Sequence, residues 1–166
     1  GVGILSRAQK RGILKPEDAA IALKSMVTLN KPGARFATIE GVKAMTDVTG
    51  FGLLGHLSEM CEGSGLTAEI DFEKVPVIAS LGDYLAQGCF PGGTQRNWNS
   101  YGHKIGEITD AQRYVLADPQ TSGGLLVAVT EEASAAFEQL LEELNLPSVS
   151  FGRLKAAEGK DLIQVI

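Results

Sequence analysis

One segment constrains the fold more than any other, because it joins a short apolar run to two closely spaced glycines. Residues 42–47 form the run and end in Asp47, Gly50 and Gly52 follow, and a helical pattern then begins. The segment predicts a strand, a tight corner and a helix that Thr49 is suited to cap. The apolar side chains of the predicted helix share one face: Leu53, Leu57, Met60 and Cys61.

The size and charge of the chain restrict its number of domains and the kinds of partner that it can bind. Its 166 residues suit one domain, and a hydrophobic content of 44% is enough for a sizeable core. The formal net charge of −5 at pH 7 argues against non-specific binding to nucleic acid or to an anionic membrane surface. No stretch approaches the roughly 18 consecutive apolar residues of a membrane span. We therefore expect neither nucleic acid nor membrane among its partners.

The two cysteines indicate the redox environment. Cys61 and Cys89 belong to no Cys-x-x-Cys pair and to no cluster with zinc spacing. Separated thiols in an acidic chain are typical of a reducing compartment, which predicts a cytoplasmic protein. Cys61 is expected in the core and Cys89 nearer the surface. The first residue is Gly1 rather than Met, so we expect the chain to be a fragment of a longer protein.

The remaining patterns interleave strands with helices and indicate an α+β fold, with helices packed against a mixed β-sheet. The last two predicted strands are expected to pair around a charged turn at Gly159, and residues 88–101 are predicted to be the longest irregular segment. Strands are predicted at 2–5, 66–72, 125–129, 149–154 and 162–166, and helices from Pro16 to Asn30 and over 34–40, 77–87 and 131–144. The apolar stripe of the first helix is Ala19, Ala22, Leu23, Met26 and Val27.

Asp47 is the first candidate for chemistry. A carboxylate at the end of a strand can ligate Mg²⁺, and the glycines after it let backbone N–H groups point at an anion from the start of a helix. The alternative is that Asp47 is a turn residue and that Gly50 and Gly52 shape a corner. No Gly-Lys-Ser/Thr follows, so this is not a P-loop, and a lone G-x-G-x-x-G is a weak dinucleotide signal. Spacing alone leaves both interpretations open.

Two further loops carry polar residues among glycines. Residues 118–124 include Asp118, Thr121 and Ser122, which could line a ligand pocket, although a simple turn before a strand is the favoured explanation from the residues alone. Residues 92–97 include Arg96, a side chain suited to phosphate or carboxylate, for which a solvated loop charge is the ordinary explanation.

The histidines and cysteines form no nucleophile arrangement that spacing supports. His56 follows the glycine corner by about one helical turn and is expected to be a partly buried, hydrogen-bonded side chain. His103 has no evident triad partner and is expected to be structural. We therefore assign no catalytic residue to this chain.

At the two glycine-bearing loops the chain resembles a known family. Residues 43–56 (KAMTDVTGFGLLGH) and 118–126 (DPQTSGGLL) closely resemble hallmark segments of the selenophosphate synthetase (selenide, water dikinase) family, and 91–97 and 100–102 resemble its intervening loop. The similarity covers the whole chain but only the C-terminal half of that two-domain enzyme. The resemblance implies the C-terminal fold of aminoimidazole ribonucleotide synthetase-like proteins.

The resemblance also implies a function. The full enzyme makes selenophosphate, AMP and phosphate from selenide, ATP and water with Mg²⁺; ATP lies between the two domains, and dimers form through the N-terminal one. Asp47 matches a magnesium ligand. The resemblance further suggests nucleotide contacts at Thr46, Thr49, Gly50, Gly52, Asp118, Thr121 and Ser122.

The nucleophile, a cysteine or selenocysteine, belongs to the N-terminal half of that enzyme, so neither Cys61 nor Cys89 matches it. We therefore expect the chain alone to be inactive, to bind Mg²⁺ or ATP weakly, and to depend on its own N-terminal domain as partner. Two alternatives remain: a domain of a paralogous synthetase (aminoimidazole ribonucleotide or hydrogenase-maturation type), or a non-catalytic partner-docking domain.

Overall fold

A computed structural model describes residues 1–157 and 159–166. Within them the chain forms helices and short strands, with single 3₁₀ turns at Phe72–Lys74 and Gly102–Lys104. No helix in this part of the chain has the length and apolar character to cross a membrane. The helices are α1 Val2–Lys10, α2 Pro16–Val27, α3 Gly33–Phe36, α4 Gly52–Ser64, α5 Leu81–Ala86, α6 Gly92–Tyr101, α7 Asp110–Leu116 and α8 Glu131–Glu143. The strands are β1 Val42–Asp47, β2 Leu66–Ile70, β3 Leu125–Val129, β4 Gly152–Ala156 and β5 Ile163–Val165.

The strands form two small sheets. β1 pairs antiparallel with β3, and its last residue, Asp47, lies opposite Leu125, the first residue of β3. In the second sheet β2 is central, antiparallel to β4 and parallel to β5. The α+β prediction is confirmed, but its single mixed sheet is two sheets.

The expected pairing between the last two strands is wrong, because β4 and β5 occupy opposite edges of β2. The buried side chains of Ala68 and Ile70 make β2 the apolar centre of this sheet, and each flanking strand satisfies one row of its backbone groups. The predicted turn at Gly159 includes Glu158, which lies outside the described residues.

The buried side chains form two clusters. The larger joins α4, α7 and both sheets through residues such as Leu54, Ile70 and Leu116. The smaller joins α1, α2 and α5 through residues such as Leu5 and Tyr84. Cys61 is buried in the larger cluster as predicted, whereas the prediction for Cys89 is wrong, because this side chain is fully buried in the smaller one.

Two predicted segments have different secondary structure. Residues 2–5 begin α1 instead of forming a strand, because Ile4 and Ala8 share a buried helical face packed on α2 and α5. Residues 92–101 form α6 instead of a loop. The buried face of α6 carries the polar side chains Thr94 and Asn97, so it lacks the apolar periodicity that predicts a helix.

Two further details differ from the predictions. α4 begins at Gly52 with Phe51 at its N-cap position, so Thr49 does not cap it. In the predicted stripe of α2, Ala22 is buried, whereas Leu23 and Val27 are 58% and 65% exposed. Part of the apolar face of α2 is therefore uncovered in this chain.

A buried carboxylate ties α2 to α5. The Ser80 hydroxyl donates to Oδ1 of Asp18 at 2.7 Å, and the Tyr84 hydroxyl donates to Oδ2 at 2.5 Å. The backbone N–H of Lys15 in turn donates to the Tyr84 hydroxyl at 3.0 Å. These hydrogen bonds, that from Tyr84 foremost, lower the pKa of Asp18.

The pKa of Asp18 predicts acid sensitivity. Because the folded pKa lies below the unfolded value of about 3.9, the carboxylate stabilises the fold fully above that pH and loses its contribution as the pH falls through the folded pKa. Urea unfolding from pH 7 to pH 2 should therefore show Asp18→Asn less stable than the wild type at pH 7, with the difference shrinking in acid. Glu142→Gln, an exposed change on α8, is the control; a difference for Asp18→Asn that does not vary with pH would contradict the prediction.

Candidate functional site

The two glycine-bearing segments predicted to carry chemistry are joined by backbone hydrogen bonds. We call residues 48–51 the first loop and residues 117–124 the second loop. The N–H of Val48 donates to the Gly124 carbonyl at 2.9 Å, the N–H of Gly123 donates to the Val48 carbonyl at 2.9 Å, and the N–H of Gln120 donates to the Thr49 carbonyl at 3.0 Å. These bonds continue the β1–β3 pairing and hold both loops at one end of that sheet.

Gly52 sets the distance between α4 and the second loop. Its φ is +71°, in the left-handed region. A Cβ at this position would lie 2.8 Å from the carbonyl carbon of Ala117 and 3.0 Å from the Asp118 carbonyl oxygen. Both contacts are with backbone, which cannot give way as a flexible side chain does. The corner therefore requires glycine for its conformation and for its space.

Side chains of α6 donate hydrogen bonds to both loops. The side-chain amide of Asn97, which is buried, donates to the Gly50 carbonyl at 2.9 Å and to the Ala117 carbonyl at 3.0 Å. The Tyr101 hydroxyl donates to the Phe51 carbonyl at 2.6 Å, and burial raises the pKa of Tyr101, which keeps this donor protonated. One face of α6 thus satisfies three loop carbonyls.

The first turn of α6 also packs directly on the second loop. A Cβ at Gly93 would lie 2.7 Å from Cγ of Pro119, so a larger residue would separate the helix from the loop. The N-terminus of α6 consequently lies at the edge of the second loop, with Pro91 as its N-cap and no side-chain cap.

These elements enclose an open cleft of about 810 Å³. α1 contributes Arg7 and Lys10, and α6 contributes Arg96. Within the described part of the chain, no Asp or Glu belongs to the lining. The complete lining is Gly3, Ser6, Arg7, Lys10, Thr49, Gly50, Phe51, Pro91, Gly92, Gly93, Arg96, Asn97, Pro119, Gln120 and Thr121.

Some of the residues predicted to bind nucleotide line this cleft and others support it. Thr49, Gly50 and Thr121 belong to the lining. Gly52 is buried behind it, and Thr46 lies on β1, outside the lining.

Asp118 and Ser122 bind other parts of the chain. Asp118 is fully buried, and its Oδ2 accepts hydrogen bonds from the backbone N–H groups of Gly3 at 3.0 Å and Ile4 at 3.3 Å and from Nε2 of Gln120 at 2.8 Å. It therefore anchors the start of α1 to the second loop. The Ser122 hydroxyl donates to the Thr28 carbonyl at 3.2 Å. A direct contact of either residue with a ligand remains a prediction.

The residues present do not form a complete magnesium site. Asp47 is exposed at the end of β1 and does not belong to the cleft lining. Within residues 1–157 and 159–166, no group of three or more His, Cys, Asp or Glu side chains is arranged to hold a metal ion. Mg²⁺ requires near-octahedral oxygen coordination, of which Asp47 can supply one ligand. No magnesium-dependent step follows from this chain alone.

His56 is a buried, hydrogen-bonded side chain, as predicted. Its Nε2 lies 3.2 Å from the Thr49 hydroxyl, and its Nδ1 lies 3.2 Å from Oε2 of Glu59. The ring therefore fixes the position of Thr49 at the edge of the cleft.

Sequence reasoning missed Arg7 and Lys10, because residues 2–5 resembled a strand. The detectable signal was the spacing of Ile4 and Ala8, which places Arg7 and Lys10 outside the apolar face of a helix. Arg96 was identified, and it is exposed, but its place in the cleft lining depends on α6 being a helix.

Comparison with known proteins places the chain in a family. The family model described as "AIR synthase related protein, C-terminal domain" matches residues 1–164. The chain belongs to this family. A structure of thiamine-monophosphate kinase from Stenotrophomonas maltophilia K279a superposes on it with a TM-score of 0.65 and 17% identity, covering 99% of this chain and 46% of that one. This likeness shows that the two share the fold.

Relatives of this C-terminal domain with higher identity are named selenide, water dikinase. The protein of Pseudomonas putida is 55% identical over 154 residues, which are 93% of this chain and 45% of that protein. The proteins of Aeromonas salmonicida and Yersinia pseudotuberculosis are 52% and 50% identical, each over 100% of this chain and 48% of their own length. The chain thus spans about half the length of the curated relatives it matches.

The corner at Gly52 predicts a large cost for a single methyl group. Gly52→Ala should lower the free energy of unfolding by about 1–3 kcal/mol, because the left-handed backbone and the contact with Ala117 both oppose a Cβ. Gly50→Ala is the control, since nothing lies within 4 Å of a Cβ at that position. Urea denaturation compares the three proteins, and equal stabilities of the two variants would contradict the steric role of Gly52.

Loss of the Asn97 amide is expected to lower the stability of the whole fold and to loosen the two loops locally. Asn97→Ala leaves the Gly50 carbonyl and the buried Ala117 carbonyl without this donor and should cost about 1–3 kcal/mol. Hydrogen exchange at the amides of Gln120 and Gly123 should become faster, because the loops separate more readily. Asn99→Ala, an exposed change on the same helix, should alter neither quantity. Unchanged exchange at both amides in Asn97→Ala would contradict the conclusion that the Asn97 side chain holds the two loops together.

Proposed function

We propose that this chain is the C-terminal domain of a selenide, water dikinase. The observation that carries the proposal is the identity of 50–55% over 93–100% of the chain with relatives of that name. The activity that follows is the formation of selenophosphate, AMP and phosphate from selenide, ATP and water. The likeness to thiamine-monophosphate kinase, at 17% identity, carries only the fold.

In this proposal the cleft is one wall of the ATP site. Both loops that resemble the family's hallmark segments border it, and Thr49, Gly50 and Thr121 lie in its lining. A wall of positive charge and backbone N–H groups suits a polyphosphate, because phosphoryl transfer requires the negative charge on the phosphate oxygens to be stabilised. The remaining wall, the nucleophile and most metal ligands belong to the other half of the longer protein.

Asp47 is the magnesium ligand that this domain contributes in the proposal. Its exposed position at the end of β1 leaves its carboxylate accessible to a facing domain. Phosphoryl transfer needs several charges around the phosphates to be neutralised, and one carboxylate cannot hold Mg²⁺ firmly against water. The rest of the coordination must therefore come from outside this chain.

The partner in this proposal is the enzyme's own N-terminal domain. The uncovered apolar side chains on and after α2 support a contact surface: Leu23 and Val27 are 58% and 65% exposed, and Leu29 is 78% exposed. The relatives are about twice as long as this chain, which supplies a domain of suitable size to cover that surface. The complete enzyme is proposed to be a cytoplasmic homodimer that acts on ATP and selenide.

A chimera tests the function and the role of Asp47 together. This chain replaces the matching segment of the Pseudomonas putida enzyme, and selenide-dependent release of AMP from ATP is measured. We expect the chimera to be active, this chain alone to be inactive, and Asp47→Asn to reduce turnover by at least about 100-fold, as loss of a group needed for charge stabilisation does.

The control for that experiment is Glu142→Gln, which removes an exposed carboxylate from α8. It should leave turnover unchanged. A folded chimera without AMP release would argue against the dikinase assignment. Wild-type turnover in Asp47→Asn would remove the metal role and leave the assignment intact.

A further inference from the structure

Thr49, His56 and Glu59 form a hydrogen-bonded chain that begins in the cleft lining. The Thr49 hydroxyl lies 3.2 Å from Nε2 of His56, and Nδ1 of the same ring lies 3.2 Å from Oε2 of Glu59. Thr49 belongs to the lining, His56 is buried and Glu59 is exposed. A hydroxyl, an imidazole and a carboxylate in this order are an arrangement by which proteins move a proton away from a reacting group.

The carboxylate determines where the hydrogens of this chain lie. Because a carboxylate can only accept a hydrogen bond, Nδ1 of His56 carries the hydrogen that is donated to Glu59. In the neutral ring Nε2 is then an acceptor, and the Thr49 hydroxyl donates to it. The lone pairs of the Thr49 oxygen consequently remain available to a donor in the cleft, such as a water molecule.

The surroundings of Thr49 hold this chain of hydrogen bonds in place. The Thr49 carbonyl accepts a hydrogen bond from the backbone N–H of Gln120 at 3.0 Å. The ring of Phe51 packs against the ring of His56, with centroids 5.9 Å apart. A Cβ at Gly50 would have nothing within 4 Å, so the first loop leaves open space next to Thr49. A small molecule in that space meets a hydroxyl whose orientation is fixed before the molecule binds.

The proposed reaction contains a step that needs a base. Conversion of ATP to AMP with two one-phosphate products requires two phosphoryl transfers, one to selenide and one to water. Because the proposed reaction depends on selenide, transfer to selenide comes first and leaves ADP for water to cleave. Neutral water must lose a proton as its oxygen bonds to phosphorus, and a positioned base accelerates such a step by about 10²–10⁴-fold. In the described part of the chain no Asp, Glu or His side chain lines the cleft, so the route to a base on this wall runs through Thr49.

We propose that Thr49 and His56 form a proton relay that activates the water consumed by the enzyme, with Glu59 positioning the ring. The water oxygen bonds to the terminal phosphorus of ADP, and the bond from that phosphorus to the bridging oxygen breaks with its electron pair leaving on AMP. The water proton passes to the Thr49 oxygen while the Thr49 proton passes to Nε2 of His56, and the carboxylate of Glu59 stabilises the imidazolium. His56 then releases the proton to solvent. The relay rests on the proposed function, because it needs a phosphoryl group and water as substrates.

The test separates the two phosphoryl transfers in the chimera with the Pseudomonas putida enzyme. One turnover of labelled ATP with selenide is quenched in acid, and ADP, AMP and selenophosphate are measured separately. In His56→Gln the amide oxygen still accepts a hydrogen bond from Thr49 but cannot take its proton. We expect this variant to form selenophosphate and ADP at the wild-type rate and to form AMP at least about 100-fold more slowly.

Further variants keep the test informative where His56→Gln lowers stability. Thr49→Val removes the hydroxyl and should accumulate ADP, whereas Thr49→Ser retains it and should form AMP within about threefold of the wild-type rate. Glu59→Gln should slow AMP formation by about two- to fivefold, because the carboxylate is exposed and its charge is screened. The matched control is Glu62→Gln, which removes an exposed carboxylate of the same helix that pairs with Lys104 and should leave the ratio of ADP to AMP unchanged.

The outcomes distinguish the relay from a structural role and from a different enzyme. Accumulation of ADP in His56→Gln and Thr49→Val, but not in Glu62→Gln, would support the relay. Equal slowing of selenophosphate and AMP formation would show that these side chains only support the fold, and it would overturn the relay, as would wild-type AMP formation in Thr49→Val. Circular dichroism verifies that each protein is folded. A folded chimera that consumes no ATP would overturn the dikinase assignment itself, and the role of the relay with it.

Discussion

The buried amide of Asn97 connects the parts of the molecule on which the cleft depends. Its two hydrogens satisfy the carbonyls of Gly50 and Ala117, which belong to loops about 67 positions apart in sequence and joined otherwise by backbone pairing near β1 and β3. A neutral amide suits this position because it offers two donors without the desolvation cost of a charge. With α6 held there, its N-terminus and Arg96 are directed to the cleft that the loops border.

The parts of the fold that depend on local sequence were predictable. β1, the glycine corner and the end of α4 at Gly65 follow from short-range patterns, because turn residues and periodicity act within a few positions. The order of strands around β2 was not predictable in the same way. The pairing of β4 and β5 with β2 depends on which side chains are buried in the tertiary fold, and the short distance between β4 and β5 in sequence does not determine it. The helix α6 was missed for a related reason: its buried face bonds to loop carbonyls and is therefore polar.

In the candidate site, too, some features follow from local sequence and others from tertiary packing. Gly50 and Thr121 were predicted from loop chemistry and Thr49 from the family resemblance, and all three lie in the cleft lining. The cations of α1 enter the lining only through tertiary packing. Asp118 shows the limit of residue type as a guide. A carboxylate in a glycine-bearing loop suggests a ligand contact, yet this one binds the backbone at the start of α1 and thereby sets where Arg7 and Lys10 lie. These contacts within the chain position α1 beside the cleft, and a contact of Asp118 with a ligand stays a prediction.

Among the described residues, the cleft lining carries positive charge and no carboxylate. The cleft lining has cations and backbone donors, while the one carboxylate matched to a metal ligand, Asp47, lies outside the lining. Basic side chains and Mg²⁺ both neutralise phosphate charge, and their mutual repulsion favours different sides of the phosphate chain. In the proposed enzyme this domain neutralises one side of a polyphosphate, and the carboxylates that hold the metal face it from the other domain. The described part of this half therefore folds without a metal-binding group of carboxylates, and in the proposed enzyme the complete charge pattern exists only where the two halves meet.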